Sequence, residues 1–452
     1  MQSSTRDSSN AAIHQVLRLY ACGWVLAYAI AAAIPAPSAA APPPLFRDFM
    51  GINGHTVQFR PHLYRPVCAL ARDYHPAEWD LGQNSDFNPP FPFARNGVDW
   101  KQVYGSWRAE GWRTDACVLF ETLSRPAWRD LAADSRRYAE RFARAFGPSG
   151  TNALVESVEI GNEPGKFPDV DYRVLFENMA RGFKQGDPRL RVATCALTTG
   201  KSHDYAKSVE CVAGFETLYD VLTVHTYAQL EGWPTWRRSY PEDPRLKDYF
   251  PDVRRLCDWR REHAPQKEVW ITEFGYDAGT RKPDPDTEFK QWVGTSEEQQ
   301  AQWIVRSWLL FSALPIERAY LYFFNDEDTP QVHGSSGLTR RFQPKPSFYA
   351  AAHLQRTLSD YRFNQVLLDR PGEALLYEFC HGNDPHRMVW VAWSPTGSNR
   401  AGTLDLPDPR GQIARAEVMP LREGNPAVVP LPRDARKVPL TESPLYLFVE
   451  RK

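Results

Sequence analysis

Eight short β-rich runs alternate with longer amphipathic stretches across residues 49–324. The runs share a content of apolar and β-branched residues, and they occupy 49–53, 69–74, 116–122, 155–161, 192–197, 221–225, 269–273 and 320–324. The stretches between them place apolar side chains at helical spacing, as in Tyr172, Leu175, Phe176, Met179 and Phe183. Strands that alternate with helices form parallel strands joined by crossover helices. Eight such units predict an α/β fold, a (β/α)8 TIM barrel.

Two features refine this prediction. An open, doubly wound sheet is the structural alternative, but it usually carries a glycine-rich phosphate turn after its first strand, and Gly-Ile-Asn-Gly at 51–54 does not match one. After residue 360 the helical period disappears, and short apolar runs at 374–380, 388–393 and 445–449 are separated by Gly, Pro, Asn and Asp. We therefore predict a barrel over residues 48–360 and a small all-β, sandwich-like module over 361–452.

The N-terminal region has the pattern of an export signal. Arg18 precedes an uncharged apolar run at 19–34, and the small residues at 38–41 resemble a cleavage site. Sixteen apolar residues are few for a membrane span, although an uncleaved anchor is the alternative. We predict a signal peptide at 1–41, a linker at 42–47, and a secreted or periplasmic protein that is free of the membrane after cleavage.

Export would place six of the seven cysteines in an oxidising compartment, because Cys22 leaves with the signal. Cys195 and Cys211 are the closest pair in sequence. A disulfide between them and a set of buried free thiols both remain open.

Charge and composition exclude several classes of partner. Lys and Arg total 54 against 55 for Asp and Glu, so no overall basic field favours nucleic acid or anionic lipid. No CxxC or His-rich cluster indicates a metal site, and we predict no metal and no cofactor. Aromatic residues reach 13%, with 15 Trp, which suits a protein that stacks flat rings.

In a barrel of this kind, chemistry lies where the strands end at the C-terminal face. Asn162 and Glu163 follow the fourth run, and Glu273 ends the seventh, so the two carboxylates are expected to face each other across the barrel mouth. Paired carboxylates that flank a sugar acetal supply a proton donor and either a nucleophile or a base. Glu121 ends the third run and is a weaker candidate, and strand alternation places Glu159 on the barrel wall rather than at its rim.

Three motifs resemble those of the retaining glycoside hydrolases of clan A, over roughly residues 48–360. They are Gly-Asn-Glu-Pro at 161–164, His-Thr-Tyr at 225–227 and Ile-Thr-Glu-Phe-Gly at 271–275, in the order that the clan shows. Within the clan the chain looks nearest to the family that holds β-xylosidases and α-L-iduronidases. The resemblance implies a retaining hydrolase of oligo- or polysaccharides.

By this resemblance Glu163 is the general acid/base and Glu273 the nucleophile. Asn162 would bind the sugar 2-hydroxyl, Tyr227 would hold the nucleophile, and Arg72 would lie near it. One departure is that many clan members carry a Trp after strand eight, where this chain reads Tyr-Phe-Phe-Asn-Asp at 322–326.

Three further residues are candidates for substrate contact. His75 follows the second run, His225 ends the sixth run, and Trp233 lies in a long loop at 229–244 where it would stack on a sugar ring. For His225 a hydrogen-bonded structural role is an equal alternative.

Other functions would use parts of the same pattern. A metal-dependent hydrolase would need ligands on several strand ends, and His55, His75 and His225 are dispersed. A secreted carbohydrate-binding barrel without catalysis would not need both carboxylates, and both are present. A transglycosylase would use the same residues as a hydrolase.

Overall fold

The computed structural model describes residues 42–407, 411–433 and 435–451. The predicted signal peptide at 1–41 lies outside these residues. Phe46, in the predicted linker, begins a short helix and is buried against Phe379, with ring centroids 5.4 Å apart. No helix among the described residues has both the length and the apolar character needed to span a membrane.

Eight parallel strands close into a barrel, which confirms the predicted fold class. They are β1 Met50–Gly54, β2 Leu70–Pro76, β3 Arg113–Leu119, β4 Val155–Ile160, β5 Arg191–Thr198, β6 Val221–His225, β7 Glu268–Phe274 and β8 Arg318–Leu321. Neighbours in the chain are neighbours in the sheet, and β8 pairs with β1 to complete the circle. Because all eight strands run in one direction, their carboxyl ends meet at one mouth.

Helices surround the barrel and cover its outer face. They are α1 Phe46–Phe49, α2 Pro61–Tyr64, α3 Ala77–Leu81, α4 Trp100–Ala109, α5 Leu131–Phe146, α6 Asp169–Gly186, α7 Tyr249–His263, α8 Glu297–Phe311 and α9 Pro346–Leu358. Their starts follow local capping rules: Asp130 accepts the Ala133 amide at α5, and Ser296 and Gln299 form a reciprocal capping box at α8. Between β5 and β6 the chain forms a 3₁₀ turn, Val209–Cys211, in place of an α-helix.

The C-terminal region is all-β, as predicted. A five-stranded antiparallel sheet contains β9 Tyr361–Arg370, β10 Ala374–His381, β11 Asp384–Trp393, β13 Gly411–Val418 and β15 Leu445–Arg451. A second sheet pairs β12 Gly402–Asp405 with β14 Lys437–Leu440.

The two-residue period of the strands explains how the larger sheet packs. One face, which includes Leu376, Trp390 and Leu447, forms a separate core with Leu404 and Val438 of the smaller sheet. The opposite face joins the main core of the barrel through the following residues: Tyr377, Phe379, Val389, Val391, Trp393 and Tyr446. The module is therefore a sandwich whose larger sheet also packs on the barrel.

A buried polar contact fixes the module to α8. The Glu242 carboxylate accepts hydrogen bonds from Arg306 Nε at 2.9 Å and from Trp393 Nε1 at 2.6 Å. Arg306 Nη1 also donates to the Thr396 carbonyl at 2.9 Å. These bonds satisfy a guanidinium that is fully buried.

The structure distinguishes between the two predictions for the cysteines, a disulfide and buried free thiols. Cys195 and Cys211 are both buried and are not bonded to each other. Burial raises the pKa of both thiols, which keeps them protonated and unreactive. The suggested disulfide is therefore wrong, and the alternative of free thiols holds for this pair.

Candidate active site

A cavity of about 440 Å³ opens at the carboxyl ends of the barrel strands. Its walls include Asn162, Glu163 and Glu273 together with aromatic and imidazole rings. The rings belong to the following residues: His55, Tyr74, Trp79, Tyr322 and His333. A largely preformed pocket of this size suits a sugar-sized ligand, with apolar faces for ring stacking and a few polar groups for orientation.

Glu273 lies at the floor of this cavity and is held from both sides. Tyr227 donates its hydroxyl to Oε2 at 2.6 Å, Tyr74 donates to Oε1 in a short hydrogen bond, and Arg72 Nη1 donates to Oε1 at 3.2 Å. Burial by itself would raise the pKa of Glu273, but the charges of His225 and Arg72 and the two tyrosine hydroxyls together lower it to about 2. Glu273 is therefore a carboxylate at any ordinary working pH.

Arg72 connects the two halves of the site from inside the barrel. Its fully buried guanidinium grips Glu159 through Nε at 2.6 Å and Nη2 at 2.9 Å. It also donates to the side-chain oxygens of Asn53 and Asn162, each at 2.9 Å. Glu159 thus lies on the barrel wall rather than at the rim, as strand alternation predicted, and the structure places it on the inner face, where it holds the guanidinium that orients Glu273 and Asn162.

Glu163 differs from Glu273 in exposure and in partners. Its side chain is 34% exposed, against 7% for Glu273, and Oε1 lies 2.8 Å from His225 Nδ1. The same Nδ1 lies 3.7 Å from Glu273 Oε2. One carboxylate is therefore enclosed and charged, while the other faces solvent beside a histidine that bridges the two.

The backbone turn that carries Asn162 and Glu163 is fixed by Glu121. Gly161 adopts φ +90°, which lets the chain turn sharply as β4 ends. The amides of Asn162 and Glu163 then both donate to Glu121 Oε1, at 2.7 and 3.3 Å. Burial outweighs these hydrogen bonds and raises the pKa of Glu121 to about 7, and its Oε2 is buried without a hydrogen-bond partner. Glu121 therefore supports the turn from below and does not line the cavity.

The described residues include one His/Asp/Glu group whose atoms are close enough together to hold an ion. It consists of Glu163, His225 and Glu273, with one atom of each lying within 4.8 Å of the others. The donor set does not favour a cation, because both Glu273 oxygens already accept hydrogen bonds and the Arg72 guanidinium lies 3.2 Å from one of them. The same group brings an oxygen of Glu163 and an oxygen of Glu273 within 4.8 Å of each other at the cavity.

Four of the residues named from sequence converge with the two carboxylates. Arg72 and Tyr227 donate to Glu273, His225 contacts Glu163, and Asn162 lines the cavity with its amide oriented by Arg72.

His75 does not reach the cavity, so its predicted substrate contact is wrong, whereas the predicted stacking of Trp233 on a sugar ring stays a prediction. His75 is fully buried. Its Nε2 is hydrogen-bonded to Asp80 at 2.7 Å and its Nδ1 to the Tyr104 hydroxyl at 2.8 Å, and Trp100 stacks on its face. Trp233 is 71% exposed at the surface of its loop and is not among the cavity walls.

Sequence reasoning missed several residues of the site. Tyr74 follows Arg72 by two positions in the same strand, so the two side chains lie on the same face. Because Arg72 was expected near Glu273, this period could have indicated Tyr74 as well. Tyr322 lines the cavity in the segment that lacks the expected Trp. His333, whose pKa burial and Arg238 lower, reaches the cavity from a loop and packs edge-on against Tyr227 and Tyr322. No sequence pattern indicated His333.

No protein-family model matches this chain, and no curated protein is similar to it at a significant level. Solved structures are similar in fold. A family 39 glycoside hydrolase from Bacteroides cellulosilyticus is 19% identical, with a TM-score of 0.66 over 90% of this chain and 81% of its own. A glucosidase from Croceicoccus marinus is 13% identical, with a TM-score of 0.62 over 91% and 98%. A GH30 endoxylanase from Clostridium papyrosolvens is 10% identical, with a TM-score of 0.57 over 91% and 98%. At these identities the likeness shows the fold alone.

Proposed function

We propose that this protein is a glycoside hydrolase that cleaves O-glycosidic bonds of an oligo- or polysaccharide with retention of anomeric configuration. The observation that carries the proposal is the pair of unlike carboxylates at the barrel mouth. Glu273 is enclosed and held ionised by Arg72, Tyr74 and Tyr227, whereas Glu163 is half-buried and lines the same cavity. A nucleophile must stay ionised, as Glu273 does, and a proton donor must reach the leaving oxygen, as Glu163 can from the cavity wall.

In the first half-reaction, Glu273 attacks the anomeric carbon while the bond to the leaving oxygen breaks. The proton of Glu163 passes to that oxygen, and the sugar remains as an ester of Glu273. In the second half-reaction, Glu163 takes a proton from water, whose oxygen attacks the same carbon and releases Glu273 as a carboxylate. Two displacements restore the original configuration.

The separation of the carboxylates supports retention rather than inversion. An oxygen of Glu163 and an oxygen of Glu273 lie within 4.8 Å of each other. Retaining enzymes hold the two carboxyl groups about 5 to 5.5 Å apart, whereas inverting enzymes leave about 6.5 to 9.5 Å for a water between them. The glycoside hydrolases of families 39 and 30 among the structural neighbours agree with this proposal.

Proton NMR of the first product tests the proposal. A panel of aryl glycosides identifies a substrate, and the anomeric signal is then read before mutarotation. We expect the first product to have the anomeric configuration of the substrate, and Glu273→Gln, a near-isosteric control, to release none. A first product of inverted configuration would contradict the assignment of Glu273 as the nucleophile.

We also propose that the protein acts outside the cytoplasm, in the periplasm or secreted. The support is the export pattern at residues 18–41. A polysaccharide too large to enter a cell requires an enzyme on that side of the membrane.

A further inference from the structure

Trp79 forms part of the wall of the candidate active-site cavity. It lies in α3, the short helix that begins directly after β2. It lines the cavity together with Asn162, Glu163 and Glu273. The residue is half-buried, so packing covers one part of the indole and leaves the rest at the cavity. A large, flat, apolar side chain is thus present in the same cavity as the two carboxylates.

A stack of aromatic rings holds Trp79 in place. Its indole stacks on that of Trp100, with ring centroids 5.9 Å apart and an angle of 22° between the planes. Trp100 in turn stacks on His75, with centroids 3.9 Å apart. Asp80 fixes both supporting rings, because it accepts a hydrogen bond from Trp100 Nε1 at 2.7 Å and is hydrogen-bonded to His75 Nε2 at 2.7 Å. The position of Trp79 is therefore set before a ligand arrives, which lowers the entropy cost of binding.

Two further apolar residues line the same side of the cavity. Pro76 ends β2 and Leu119 ends β3, the two are register partners in the barrel, and both line the cavity. The Glu78 amide of α3 donates to Thr122 Oγ1 at 3.1 Å, in the 3₁₀ turn that follows β3. This bond ties α3 to the end of β3, so Pro76, Trp79 and Leu119 form one apolar wall over the ends of these two strands.

Resting on the proposed hydrolase function, we infer that Trp79 is the stacking platform for the sugar ring that is transferred to Glu273. That ring must enter this cavity, because Glu273 lies at the cavity floor and attacks the anomeric carbon. A sugar ring presents C–H groups on its faces and hydroxyls at its edge, and the apolar wall matches the faces. Trp79 is therefore a positioning residue that acts on every substrate, whatever its leaving group.

The test uses the glycosyl fluoride of the sugar that the aryl glycoside panel selects. Only fluoride leaves in that reaction, so a loss of activity reports a contact with the transferred ring itself. Trp79→Leu keeps apolar bulk against Trp100 but has no flat ring, and we expect it to lower kcat/KM by about tenfold. The inhibition constant of the free sugar, which measures binding without chemistry, should rise by a similar factor. Trp79→Phe keeps a flat ring and should stay within about threefold of wild type in both quantities.

Trp259 is the matched control, because it is a half-buried tryptophan on α7, stacked on His263 and outside the cavity walls. Trp259→Leu should alter neither quantity. Oxidation by N-bromosuccinimide needs no variant: the free sugar should protect Trp79 of the wild-type protein and leave the oxidation of Trp259 unchanged.

The outcomes separate the platform from the hydrolase. Wild-type values in Trp79→Leu, equal losses in Trp79→Leu and Trp79→Phe, or a Trp79 that the sugar leaves unprotected would overturn the platform while the hydrolase stands. A wild-type protein that cleaves no glycoside of the panel and no glycosyl fluoride would overturn the proposed hydrolase and the platform with it.

Discussion

His225 Nδ1 lies 2.8 Å from Glu163 Oε1 and is shared at longer range with Glu273. One imidazole therefore contacts the proposed proton donor and also acts electrostatically on the proposed nucleophile. The pKa of Glu273 therefore depends on this imidazole as well as on Arg72.

Replacing His225 with alanine should move the acidic limb of the pH profile. The positive charge of His225 lowers the pKa of Glu273, so its loss raises that pKa, and Glu273 becomes protonated at a higher pH. We expect the acidic limb of kcat/KM against pH to shift upward in His225→Ala. The exposed His62→Ala is the control, and an unchanged acidic limb in His225→Ala would contradict the coupling.

Substrates with poor and with activated leaving groups should distinguish the roles of Glu163 and Glu273. Glu163→Ala removes proton donation, so kcat/KM should fall by about 10²- to 10⁴-fold on substrates with poor leaving groups and much less on activated aryl glycosides. Added azide should restore the second half-reaction, because it attacks the glycosyl ester of Glu273 in place of water and needs no base. Glu273→Ala should be inactive on both classes, and full activity of Glu163→Ala on a poor leaving group would refute the assignment.

Loss of Arg72 should destabilise the whole protein. Arg72→Ala leaves the Glu159 carboxylate fully buried without its cation, and we expect the free energy of unfolding to fall by about 3 to 5 kcal/mol. Adding Glu159→Gln should recover part of this loss, because it removes the unpaired charge. Denaturant titration measures both changes, with Arg237→Ala, which breaks an exposed pair, as a control expected to cost about 1 kcal/mol or less.

Glu121 should make stability depend on pH in a direction opposite to that of Glu273. Its folded pKa of about 7 is above the ordinary value of 4.5, so the folded state holds the proton more tightly, and stability declines as pH rises from about 4.5 to 7. Glu121→Gln keeps an acceptor for the Asn162 and Glu163 amides without the charge. The Tm advantage of Glu121→Gln over wild type should therefore be larger at pH 8 than at pH 5, and an equal difference at both would rule out the buried ionisation.

Processing of the N-terminus has a direct readout. Because the small residues at 38–41 follow the apolar run at 19–34, we expect the exported chain to begin between Ala39 and Pro44. N-terminal sequencing of the exported protein measures this start. A chain that retains Met1 in the membrane fraction would identify the segment as an anchor instead.

The sequence by itself determined the fold class and the location of the candidate chemistry. The two-residue and 3.6-residue periods encode strands and helices locally, and eight alternating units leave a parallel barrel as the compact solution. Glu163 and Glu273 were found because a strand end is visible in sequence and all carboxyl ends of a parallel barrel meet at one mouth, whereas Tyr227 was named from the resemblance of the motif at 225–227.

Only the tertiary structure decided which side chains contact those residues. His75 and Tyr74 are adjacent in β2, yet one is enclosed by Asp80 and Tyr104 and the other donates to Glu273. Likewise Glu121 acquires its position by accepting the amides of Asn162 and Glu163, across more than 40 residues of chain. Hydrogen bonds and ring contacts between distant segments depend on loop paths and side-chain packing, and no local period in the sequence specifies these.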